Sequence, residues 1–128
     1  MYIAVDFDGT CVEHRYPYVG IDCDGAERVL KRIVENGNKL ILLTMRGTAA
    51  SPQTPGKTVL DDAVQWFADK DIPLYAVNSN PSQGQWTDSN KVYANIYIDD
   101  AALGCPLNRR GFVDWDKVEK ILKVNNII

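Results

Sequence analysis

The sequence predicts an α/β fold, a parallel sheet with helices packed on both of its faces. Three observations lead there. Apolar runs too short to be helices recur at residues 2–5, 39–44, 74–77 and 95–98. Stretches with apolar residues at helical spacing follow or separate those runs. Polar residues stand at or just after the ends of three of them, at Asp6, Thr44 and Asp99. A strand covered on both faces reads as a continuous apolar run rather than an alternating one, and strands alternating with amphipathic helices make βαβ units. Right-handed crossovers bring the C-terminal ends of such strands to one edge of the sheet, which is where ligands bind.

The first run, Tyr-Ile-Ala-Val, leads into Asp6-Phe7-Asp8-Gly9-Thr10. Asp6 and Asp8 are two residues apart, so on extended chain their side chains share a side. Carboxylates held this close repel unless a proton or a cation relieves them. An Asp-Gly turn accounts for Asp8 and Gly9 but not for Asp6 at the end of a buried run. Residues 11–21 are polar and aromatic, with Pro17 and Gly20, and read as an irregular loop or a hairpin flap. Within it His14, the chain's single histidine, stands among Arg15, Tyr16 and Tyr18.

A first helix is expected after Asp24, whose Asp24-x-x-Glu27 spacing reads as a capping pattern. Val29, Leu30, Ile33 and Val34 form its apolar face and Gly37 its stop. Residues 39–44 make the second strand, followed by Met45-Arg46-Gly47. Gly56-Lys57-Thr58 looks like the tail of a phosphate-binding loop. That pattern requires glycine where Ser51 stands, and Pro52 and Pro55 remove amide donors. Thr58 instead caps a second helix, with Asp61 and Asp62 in its first turn and Leu60, Val64 and Phe67 on its inner face. A third strand at 74–77, a polar loop at 78–88, a short helical approach at 89–93 and a fourth strand at 95–98 follow. Asp114 caps a last helix with Trp115, Val118, Ile121 and Leu122 facing inward. No repeat or linker interrupts the pattern, and residues 1–128 read as a single domain.

A net charge of −3 with scattered Lys and Arg argues against a nucleic-acid surface. No apolar run approaches the roughly 20 residues that span a bilayer, and no signal segment precedes the first strand. Cys11, Cys23 and Cys105 fit neither a disulfide framework nor a zinc pattern, so reduced thiols and a cytoplasmic location are expected.

Taken together, Asp6-x-Asp8-Gly9-Thr10 after an apolar strand, Thr44 at the end of the second strand, Lys91, and Asp99-Asp100 after the fourth resemble the four ordered motifs of the haloacid dehalogenase (HAD) superfamily. The resemblance spans residues 2–100. It implies a three-layer α/β/α Rossmann-like core and a magnesium-dependent phosphatase working through an aspartyl-phosphate. Asp6 would be the nucleophile, and Asp8 the general acid and base, held protonated in the complex while Asp6 stays ionised. Thr44 and Lys91 would meet the phosphoryl oxygens, with Arg46 and Gly47 beside them. For Arg46 both a second anionic group of the substrate and a surface role stay open. Asp6, Asp8 and one of Asp99 and Asp100 would hold Mg²⁺.

Neither gap between motifs has room for a cap domain, so the chain resembles capless members of that superfamily. Such members often take large substrates or borrow a neighbouring subunit as a lid, and the phosphorylated substrate expected here is a small molecule or a macromolecular end. A non-catalytic metal- or phosphate-binding module and a phosphotransferase are the alternatives.

Overall fold

The computed structural model describes Met1–Ile128. Four strands, β1 (Tyr2–Val5), β2 (Lys39–Leu42), β3 (Ala76–Val77) and β4 (Ile96–Ile98), form one all-parallel sheet in the order β3-β2-β1-β4. β1 is paired on both sides: Val5 lies opposite Leu42 on one flank and Ile98 on the other. Three helices, α1 (Ala26–Glu35), α2 (Val59–Asp69) and α3 (Trp115–Val124), complete a Rossmann-like architecture. No helix is long and apolar enough to cross a membrane.

One contiguous core forms around Ile3, Val5 and Phe7, which are fully buried. Phe7 packs edge-on to Trp66, with ring centroids 5.8 Å apart, and also meets Phe67, so α2 seals the end of β1. Val29, Leu30 and Ile33 of α1 are buried completely, and truncating one of them to Ala costs about 2–5 kcal/mol. Cys11 and Cys23 are buried core residues and all three thiols are free. Burial, then the nearby Asp6 charge, pushes the Cys11 thiol well above its ordinary range, which makes it packing rather than a reactive group.

Several elements depart from the sequence reading. Asp24 does not cap α1. Gly25 enters the helix at φ 83°, a left-handed conformation that favours glycine, and Glu27 pairs with Lys31 instead. The third strand shortens to Ala76–Val77. The short helix lies earlier than expected: Pro81–Gln85 forms a 3₁₀ turn capped by the Asn80 side chain, and residues 89–93 are not helical. Along α3 the buried face includes Glu119, while Ile121 is about half exposed. α3 packs against α1, whose Arg28 and Arg32 both reach the Glu119 carboxylate. Thr58 caps α2 as expected, in a full capping box with Asp61.

Candidate functional site

All four strands point the same way, so their C-terminal ends share an edge. There the backbone N–H of Asp6 still pairs with the Ile98 carbonyl, at 3.0 Å, before the two chains diverge. Carboxylate oxygens of Asp6, Asp99 and Asp100 come within 4.8 Å of one another. Burial, then the Asp99 and Asp100 carboxyls, pushes Asp6 up to about 7. A proton or a cation relieves the repulsion among these carboxylates. All the side-chain donors are hard oxygens, a set that suits magnesium better than a soft transition metal.

Thr10 is the fixed point of this cluster. Its hydroxyl lies 3.2 Å from oxygens of both Asp6 and Asp100, and it accepts the Asp100 amide N–H at 3.1 Å. Its carbonyl accepts the indole N–H of buried Trp115 at 2.7 Å. Gly9, at φ 83°, lies so close to Asp100 that a Cβ there would collide with the carboxylate. The Asp-Gly-Thr turn is thus required by its acidic neighbour as well as by local backbone geometry.

Asp8 faces a different partner. Arg46 Nε and Nη2 each donate to one Asp8 oxygen at 2.8 Å, a bidentate pair. Nη1 donates to the Val59 carbonyl and Nη2 also to that of Tyr18, both at 3.0 Å. The guanidinium carbon sits 5.1 Å from the Phe7 ring centroid and 5.2 Å from that of Tyr16. The expectation of a protonated Asp8 beside an ionised Asp6 concerns the substrate complex; in the protein alone the two carboxyls already stand in different surroundings. Asp6 carries the raised pKa, and both Asp8 oxygens accept from a cation.

These groups line a cleft of about 490 Å³ formed by Asp6, Asp8, His14, Tyr16, Thr44, Met45, Arg46, Asp99, Asp100 and Ala101. The segment between Val12 and Asp22, which pair as an antiparallel bridge, is the expected flap, and it brings His14 and Tyr16 to the cleft. Thr44 stands at the end of β2, its amide held by Asn78 Oδ1 at 2.8 Å and its hydroxyl accepting the Arg46 amide at 3.1 Å.

Three sequence-based site residues are placed otherwise. Arg46 lines the cleft, but four of its N–H bonds are engaged by Asp8, Val59 and Tyr18, so it is not a free receptor for a second substrate anion. Gly47 is exposed and outside the lining; its carbonyl accepts the Leu60 amide at the start of α2. Lys91 is exposed and also outside the lining, its ammonium 6.0 Å from the Tyr97 ring centroid. Buried Gln83 explains this. Its amide nitrogen donates to the Ser89 and Lys91 carbonyls and its oxygen accepts the Tyr93 N–H, wrapping residues 89–93 around the 3₁₀ turn. Conversely, the sequence showed no role for Trp115 beyond packing, nor for Asn78, although Asn78 follows the last residue of β3 on the same edge.

No family model matches the sequence, and no curated protein does either. A solved structure, described as that of a conserved protein from Bacteroides thetaiotaomicron, is 34% identical to this chain. The match covers 98% of this chain and 91% of that one, with a TM-score of 0.77. The chain belongs to the family of that conserved protein. The likeness extends over nearly the whole length of both chains.

Proposed function

We propose that the protein is a HAD-type, magnesium-dependent phosphohydrolase with a three-layer α/β/α core and no cap. The observation that carries this reading is the meeting of Asp6, Asp99 and Asp100 at one strand edge, with Asp8 beside them in the same cleft. The mutual repulsion of such a cluster is relieved by a proton or by a hard cation.

Asp6, Asp99 and Asp100 would hold the ion. When bound, magnesium offsets their charge and that of the phosphoryl oxygens. An Asp6 carboxylate oxygen forms a bond to phosphorus as the ester P–O bond breaks, and the electron pair leaves on the ester oxygen. Asp8, which would be protonated once substrate is bound, gives that oxygen its proton, then takes one back from the attacking water. Water adds to phosphorus, the acyl-phosphate bond breaks, and inorganic phosphate and free Asp6 result. Thr44, with backbone amides following Asp6, meets the equatorial oxygens.

The decisive experiment is a screen of the purified protein against phosphate monoesters with and without magnesium. Turnover that disappears with chelator and returns with magnesium supports the reading. No turnover of any ester in excess magnesium leaves a non-catalytic phosphate- or metal-binding module. Transfer to an added alcohol in preference to water makes it a phosphotransferase.

A further inference from the structure

The cleft also carries information on what is attached to the phosphate. Four carboxylates line it, from Asp6, Asp8, Asp99 and Asp100, against a single guanidinium. That guanidinium is not available. The Arg46 side chain is 1% exposed, its N–H groups are held by Asp8, Val59 and Tyr18, and withdrawing it would leave Asp8 without its partner. No other lysine or arginine lines the cleft. Lys91 lies over Tyr97, and Arg110 is paired with Glu13. Arg15, exposed on the flap between His14 and Tyr16, is outside the lining, so a second phosphate or a carboxylate on the substrate would enter a cleft whose lining offers it no free lysine or arginine.

The rim has the opposite character. Met45 is 99% exposed beside Thr44, Tyr16 is half exposed on the flap, and Ala101 follows the acidic pair. One contact of the Tyr16 ring is with the Arg46 guanidinium, which fixes the ring as part of the wall. A fixed ring and a free thioether form a surface for a flat apolar group.

We propose that this cleft selects phosphomonoesters whose leaving group is uncharged and presents an aromatic face, and discriminates against substrates with a second anionic group. The proposal rests on the phosphohydrolase reading for its chemistry, but its selectivity is a binding property and is testable without turnover.

Three non-hydrolysable probes serve: methylphosphonate, phenylphosphonate and 4-carboxyphenylphosphonate, titrated calorimetrically into the protein at pH 8 with excess magnesium. Phenylphosphonate is expected to bind about tenfold tighter than methylphosphonate, from the apolar area it buries. The added carboxylate is expected to weaken binding about tenfold, as a like charge near an acidic cluster does. In Met45→Ser the phenyl-to-methyl affinity ratio is expected to fall about threefold or more, with an unchanged melting temperature, since Met45 packs against nothing. Tyr16→Ser is expected to lower the same ratio further. Equal affinities for phenyl- and methylphosphonate, tighter binding of the carboxylated probe, or no binding of any of the three would overturn the proposal. Turnover of phenyl phosphate is followed on the same preparation. Selective binding without turnover refutes the hydrolase reading and leaves the selectivity standing; turnover without selectivity does the reverse.

Discussion

Arg46 grips both oxygens of Asp8 at 2.8 Å from a position where its own side chain is 1% exposed. The two residues are 38 positions apart, one following β1 and the other β2, so the pair ties adjacent strand ends together. Removing one partner of a buried ion pair leaves an uncompensated charge. Arg46→Met is therefore expected to destabilise the protein by roughly 3 kcal/mol. Arg46→Lys keeps the charge but loses the fork and the second contact, and is expected to fall between parent and Met variant. Urea unfolding of the three proteins checks the order.

Asp6→Asn removes the proposed nucleophile with little change in volume. Turnover is expected to vanish while the circular dichroism spectrum stays that of the parent. The metal-free variant is also expected to be more stable by about 1–2 kcal/mol, because one of three crowded carboxyls is now neutral. Normal turnover in the variant would remove Asp6 from the chemistry.

Magnesium is expected to raise the melting temperature of the parent, by an amount equivalent to about 2.7 kcal/mol at a hundredfold excess over its dissociation constant. Asp99→Asn and Asp100→Asn each remove one oxygen donor of the cluster and are expected to shrink that gain. Differential scanning calorimetry across a magnesium series reads it directly. If only one substitution has an effect, that residue is the ligand.

Lys91 separates the resemblance from the structure. A phosphoryl-binding lysine replaced by Met lowers turnover about a hundredfold or more. An exposed lysine outside the cleft changes stability by no more than about 0.5 kcal/mol and leaves chemistry alone. Lys91→Met is expected to behave in the second way, keeping turnover within a few-fold of the parent in steady-state kinetics. A hundredfold loss would mean that residues 89–93 rearrange when substrate binds.

Glu119 gives the fold a pH signature. Hydrogen bonds from Lys123 and Arg28 draw its carboxyl down to about 2. With its folded pKa below the ordinary carboxylate value, its contribution is complete above pH 4.5 and is lost as pH falls through about 2. Parent and Glu119→Gln should thus differ in melting temperature at pH 6, the parent being higher, and converge towards pH 2. A gap that stays constant over that range would show that the carboxylate charge is not what joins α1 to α3.

Much of the site was legible because it lies on short apolar runs whose ends are fixed by the pattern itself. Asp6, Thr44 and Asp99 had to share an edge once the strands were parallel. What stayed hidden depends on partners distant in sequence. Nothing near Arg46 announces that its carboxylate is Asp8, and nothing near Lys91 announces that Gln83 holds its carbonyl. The α3 pattern suggested an inward Ile121, but the facing surface of α1 carries two arginines, so the acid at 119 turns in instead. Asp24 was misread because the left-handed step at Gly25 starts the helix just beyond its reach.

The bond from the Trp115 indole to the Thr10 carbonyl closes a span of 105 residues. It makes the Thr10 turn lean on a residue synthesised long after it. A nascent chain released as far as Leu107 already has all four carboxylates, yet it lacks the indole that bonds the Thr10 carbonyl beside Asp6 and Asp100. Contacts this distant in sequence are slow to form, since the intervening chain must be ordered first. The Thr10 turn therefore takes its final anchor only when α3 docks.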